Sequence, residues 1–220
     1  MTLALFDLDN TLIAGDSDHA WGEFISERGL VDAQEYARAN DKFYDDYVNG
    51  GLDCAAYLRF ALEPLSQHSI EELDSLHQEF MGAKVSQMWL ATADDLIKKH
   101  RSQGHRLVVI TATGRFVVEP IVRQFGINEI LCSEPEIKDG RYTGDFIEEP
   151  CFAEGKVTKI ERWLEKTGED LNGAWFYSDS FNDIPLLKKV DNPVAVDPDE
   201  RLERHARELG WPVISLRGES

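Results

Sequence analysis

Four apolar residues, Leu3-Ala4-Leu5-Phe6, run directly into Asp7-Leu8-Asp9-Asn10-Thr11. No polar residue breaks the run, so it reads as a strand buried on both faces of a parallel sheet. Such a strand needs helices above and below it, which restricts the chain to layered α/β architectures. Two carboxylates one residue apart at its carboxyl end are costly to place without a partner. A hard divalent cation suits them, because Mg²⁺ takes carboxylate oxygens and keeps several waters. A solvated Asp-rich turn accounts for the same residues locally, since Asp and Asn favour turns.

The rest of the chain shows two rhythms. Residues 17 to 91 read as helices throughout. Trp21, Phe24 and Ile25 share one helical face, and a second helix over 32 to 48 carries Tyr36, Phe43, Tyr44 and Tyr47. Gly50-Gly51 breaks that helix. A third covers about 53 to 62 and is stopped by Pro64. Ser69-Ile70-Glu71-Glu72 is a capping box opening a fourth. From residue 92 strands alternate with helices. Thr92 is expected to cap a helix that ends at Gly104. Strands are expected at 107 to 110, 130 to 132, 174 to 177 and 194 to 196, with an edge strand at 213 to 214. Residues 136 to 147 predict a hairpin turning at Asp139-Gly140.

This alternation predicts an α/β fold with a doubly wound, mainly parallel Rossmann-like sheet. Residues 1–15 and 92–220 form its core. Residues 16–91 are a helical insertion over the carboxyl rim, where ligands of such sheets bind.

The 220 residues carry 41 acids against 23 lysines and arginines, a net charge of −18. That speaks against nucleic acid and anionic membrane surfaces as partners, which call for a basic patch. Cys54, Cys132 and Cys151 are odd in number and scattered, so they read as small buried side chains rather than disulfides or metal ligands. With no signal-like N-terminus and no membrane-length apolar run, a cytoplasmic location is expected.

Each remaining polar cluster follows a strand or opens a helix, so the fold brings them to one rim. Asp7 is the candidate nucleophile, able to form an aspartyl-phosphate. Asp9 is the candidate general acid and base. Thr111, with backbone N–H groups such as that of Ala112, is placed to hold phosphoryl oxygens. Lys156 opens a helix, where a cation opposes the macrodipole and a phosphate would explain it. Asp179 is placed to complete a metal shell, and Asp183 to hold a metal water or to orient Lys156. Taken singly, each has an ordinary explanation: Thr111 as an N-cap, Lys156 as a surface lysine, the two acids as helix caps.

Together, Asp7-Leu8-Asp9-Asn10-Thr11, the Thr111 strand end, Lys156 and Asp179-Ser180-x-x-Asp183 resemble the four motifs of the haloacid dehalogenase superfamily, over nearly the whole chain. The resemblance implies a type-one helical cap. It also implies Mg²⁺ ligated by Asp7, the Asp9 backbone carbonyl and Asp179, with waters held by Asp183. Dehalogenase members lack the second Asp and ion-pumping ATPases carry Thr there, so Asp9 implies a phosphatase or phosphomutase of small phosphomonoesters. Ser178 departs from the pattern, since relatives often carry Gly there.

The hairpin fits the phosphoserine-phosphatase-like branch. Asp16 falls where those enzymes carry an acid for the substrate amine, and Arg59 where they carry an arginine for its carboxylate. The segment from Phe6 to His19 also resembles a cluster that includes bacterial histidinol-phosphate phosphatases. That likeness implies hydrolysis of L-histidinol phosphate in histidine biosynthesis, with phosphoserine as the alternative substrate. Phe43, Tyr44 and Tyr47 then offer a stacking surface for the imidazole, and Asn182 is a further substrate contact. The spacing of the three aromatics more often marks a stripe packed against the core.

Overall fold

The computed structural model describes residues 1–218. β1 (Leu3–Phe6) lies in the middle of a seven-stranded sheet, between β2 (Arg106–Gly114) and β5 (Trp175–Ser178). The order is β4-β3-β2-β1-β5-β6-β7. Here β3 is Glu129–Lys138, β4 Arg141–Ile147, β6 Asn192–Val196 and β7 Val213–Ile214. Every pairing is parallel except that of β3 with β4. Strand order reverses at β1, because the chain builds outward to β4 on one side and returns to lay β5 on the other. Asp7 is the first residue past that switch point, where open α/β sheets bind ligands.

Successive β1 side chains point to opposite faces, and each face meets its own core. Ala4 and Phe6 join a cluster with Ala93 and Ile97 of α6 (Ala91–Ser102) and Val118 and Ile121 of α7 (Arg115–Gln124). Leu3 and Leu5 join a second cluster. It holds Ile160 of α8 (Glu154–Thr167), Leu186 of α9 (Ile184–Leu187) and Leu202 of α10 (Glu200–Leu209). All four β1 residues are fully buried, as the unbroken apolar run requires.

The insertion consists of α1 (Ser17–Glu27), α2 (Ala33–Val48), α3 (Cys54–Leu62) and α4 (Ile70–Phe80). A π-turn, Met81–Val85, carries α4 into α5 (Ser86–Met88). The capping box at Ser69 and Glu72 is present in both directions. The two chain crossings lie side by side. Ile13 forms an antiparallel bridge with Trp89, and the Ala14 N–H donates to the Met88 carbonyl at 2.7 Å. Trp21 of α1 packs edge-on to Phe116 of α7, centroids 5.1 Å apart, and so anchors the insertion to the core.

The third helix ends at Leu62, just before Pro64 as expected, and the proline sits in the first turn of a following 3-10 helix, Glu63–Gln67, where its missing N–H costs nothing. One local expectation is corrected. Thr92 is not the cap of α6. Leu90 holds that position, and the Thr92 hydroxyl reaches the Leu216 carbonyl instead. The hairpin turns at Asp139 and Gly140, with φ of 51° and 74°, the left-handed pair that an Asp-Gly turn favours.

Candidate active site

The loops that follow the strands place two acids around one ammonium. Lys156 Nζ donates to Asp7 Oδ1 at 2.8 Å and to Asp183 Oδ2 at 2.7 Å. Both acids and the lysine are more than nine-tenths buried. Gly155 permits this placement, because a Cβ there would stand 2.0 Å from the Pro150 carbonyl oxygen. Ala153, at the start of α8, holds φ at 48°, a strained value for a residue with a side chain. Burial would lower the Lys156 pKa, but Asp183 and Asp7 more than offset this and hold it protonated. Ser178 donates to Asp183 Oδ2 at 2.6 Å and accepts from the Ser180 N–H at 3.1 Å. Asp183 Oδ2 thus takes both the Lys156 ammonium and the Ser178 hydroxyl.

Asp7 is pushed up to about 6 by burial and by the Asp183 charge, against the pull of Lys156. Asp9 is pushed up to about 8 by burial and by the Asp16 charge. Asp9 Oδ1 accepts the Ser17 N–H at 2.7 Å, and Oδ2 pairs with the Thr113 hydroxyl at 2.8 Å. Asp179 sits beside this group without lining the pocket wall. Burial and the Asp7 and Asp183 charges push it well above the usual carboxylate range. Its N–H donates to Thr11 Oγ1 at 3.0 Å, and that hydroxyl donates back to its carboxylate at 3.1 Å.

One pocket runs from this cluster up under the insertion. Asp7, Asp9, Thr111, Ala112, Lys156, Asn182 and Asp183 line its floor. Asp16, Asp18, Phe43, Tyr44, Tyr47 and Tyr57 line its upper part. Phe43, Tyr44 and Tyr47 of α2 therefore face the pocket rather than the core, where α2 buries only Tyr36 and Asn40. Tyr47 donates to Ser180 Oγ at 2.8 Å, joining roof to floor. Asp16 lines the pocket while capping α1, taking the Asp18 and His19 N–H groups on Oδ1.

Arg59 is a correction. It does not enter the pocket. Its Nε lies 3.3 Å from Asp145 Oδ1, and its guanidinium stands 5.1 Å over the Phe146 ring. Helix α3 presents that face to β4 of the hairpin, which takes the cation. Among the described residues, Lys156 is the one lysine or arginine on the pocket wall. Thr113, Thr11, Asp18 and Tyr57 were not singled out from sequence. For Thr113 a signal existed, since alternation along β2 puts it on the same side as Thr111.

The donor set suits a hard dication. Asp7, Asp9 and Asp179 are all forced upward by burial and mutual charge, with a single ammonium among them. As placed, no three carboxyl, imidazole or thiol groups among the described residues close into a ligand cage. Mg²⁺ needs no such cage, because it takes one or two carboxylates and fills its octahedron with water and phosphate oxygens.

The family model of haloacid dehalogenase-like hydrolases matches residues 4–188. The chain is 46% identical over 219 residues to a histidinol-phosphatase of Neisseria meningitidis, covering 98% of this chain and 99% of that one. It is 32% identical over 218 residues to the phosphoserine phosphatase SerB1 of Mycobacterium tuberculosis, covering 97% and 70%. A crystal structure of a protein of unknown function from Bordetella pertussis superposes with a TM-score of 0.92 at 40% identity, covering 98% and 100%. A substrate-bound phosphoserine phosphatase complex superposes at 0.70 with 22% identity, covering 98% and 95%, a likeness of fold.

Proposed function

The chain belongs to the haloacid dehalogenase-like hydrolase family, and from that membership we propose that it is a Mg²⁺-dependent phosphatase acting on L-histidinol phosphate. Asp7 is ionised at neutral pH, with Oδ1 held by Lys156, so Oδ2 is the oxygen that attacks phosphorus. Asp9 keeps a proton at neutral pH and delivers it to the leaving alkoxide. The same carboxylate then draws a proton from water, which opens the aspartyl-phosphate and releases phosphate from Asp7. Lys156 and Thr111 meet the phosphoryl oxygens. Asp7, the Asp9 carbonyl and Asp179 would hold Mg²⁺, which when bound neutralises phosphoryl charge.

One observation carries the substrate: among the described residues, the pocket above the floor presents Asp16 and Asp18, aromatic rings, His19 and Asn40, and no guanidinium or ammonium. A cationic amino alcohol fits that wall. The carboxylate of phosphoserine would lie against Asp16 and Asp18 with no lysine or arginine to pair it, and like-charge contacts cost several kcal/mol. The 46% identical histidinol-phosphatase supports the same reading. In a phosphate-release assay with saturating Mg²⁺, kcat/KM for L-histidinol phosphate is expected to exceed that for O-phospho-L-serine by about 100-fold or more. Equal values would refute the substrate assignment.

Asp9→Asn tests the proton role. It is expected to cut kcat on an alkyl phosphate by about 10²- to 10⁴-fold. The loss on p-nitrophenyl phosphate should be far smaller, because nitrophenolate leaves without a proton. Equal losses on both substrates would assign Asp9 a different task.

A further inference from the structure

Asp18 is the one pocket carboxylate that neither the phosphoryl chemistry nor a helix cap engages. It is 7% exposed, and its Oδ2 has no hydrogen-bond partner in the protein. An unsatisfied buried oxygen of this kind is a standing cost unless a ligand meets it. Asp16 is occupied differently, since its Oδ1 caps α1. The acids form a series along the pocket. Asp16 acts on Asp9 on one side and on Asp18 on the other. Beyond Asp16, the neighbours of Asp18 are Tyr57, Tyr36 and Cys54, none of them a cation. Tyr57 and Phe43 both line the pocket, with ring centroids 5.4 Å apart.

A substrate anchored by its phosphate at Lys156 would therefore meet Asp16 first and Asp18 second. We propose that Asp18 is a specificity-determining residue that hydrogen-bonds an N–H-bearing heterocycle lying past the substrate ammonium, beside the rings of Tyr57 and Phe43. The inference rests on the reading of the substrate as an amino-alcohol phosphate. It adds that the far end of that substrate is itself a nitrogen donor or acceptor. Burial and the Asp16 charge push Asp18 up to about 7, so it can present either an acceptor oxygen or an O–H to an azole nitrogen.

The test compares L-histidinol phosphate with 2-aminoethyl phosphate, which keeps the ammonium and lacks the ring. Asp18→Ala is expected to raise KM for L-histidinol phosphate by about 10- to 100-fold, with kcat within about threefold. The kcat/KM for 2-aminoethyl phosphate should stay within about twofold of wild type. Competitive inhibition by L-histidinol should weaken in parallel, and inhibition by 2-amino-1-propanol should not. Asp18→Asn keeps the volume and one acceptor, so it should show the same pattern at smaller amplitude; it serves as the readout if the alanine variant does not fold. An equal loss on both substrates, or no loss on either, overturns the assignment. Failure of the wild type to prefer L-histidinol phosphate would sink the substrate reading itself, whereas a wild-type preference unmoved by Asp18→Ala sinks only the role of Asp18.

Discussion

Asp7→Asn is expected to lower kcat by on the order of 10⁴-fold or more, because it removes the nucleophile and leaves the rest of the pocket in place. The amide keeps the size of the carboxylate and can still accept from Lys156. It removes one negative charge from a buried group in which Asp7, Asp183 and Asp179 crowd a single ammonium. The melting temperature measured without Mg²⁺ should therefore hold or rise. Steady-state phosphate release and thermal unfolding on the same sample check both halves. Activity within about tenfold of wild type would show that another group attacks phosphorus.

Lys156→Met is expected to damage both activity and fold. The ammonium joins Asp7 to Asp183 across distances of 2.8 and 2.7 Å, all three groups almost wholly buried. Removing one partner of a buried ionic group leaves uncompensated charge and typically costs about 3–5 kcal/mol. In a chain of this length that corresponds to a drop of roughly 10 °C in Tm. Phosphate release should fall by about 10³-fold, since the same ammonium meets the phosphoryl group. Adding Asp183→Asn to Lys156→Met should restore part of the stability and none of the turnover. The contrast separates the two tasks of the lysine, because a neutral pair needs no counter-ion but offers no charge to phosphate. A fully stable single variant would mean that solvent already reaches the cluster.

The floor of the site was legible because its residues sit at fixed offsets from strand ends. Leu3 to Phe6 could only be a doubly buried strand, so Asp7 had to emerge at the rim. Thr111, Lys156 and Asp183 follow from the same geometry applied to β2, α8 and β5. The upper part of the pocket was less legible. Which face of a cap helix looks into the pocket depends on how the helix rolls against its neighbours, and those neighbours are distant in sequence. Arg59 shows this: α3 lies on β4, more than eighty residues later, and Asp145 with Phe146 draws the guanidinium away. On spacing alone Phe43, Tyr44 and Tyr47 read more readily as a core stripe, and the shallow burial of α2 decided for the pocket. Asp16 and Asp18 differ by two positions at one helix start. Only the cap geometry tells which of them is engaged as the cap and which keeps an unpartnered Oδ2.

Catalysis by Asp7 requires a covalent bond between phosphorus and its side chain, and chemical trapping measures that bond most directly. Enzyme quenched with acid during turnover of L-histidinol phosphate is treated with borohydride, which reduces an acyl phosphate to the alcohol, and its peptides are mapped by mass. The expected result is conversion of residue 7 to homoserine in wild type and no conversion in Asp7→Asn. Reduction at any other residue would show that Asp7 is not the nucleophile.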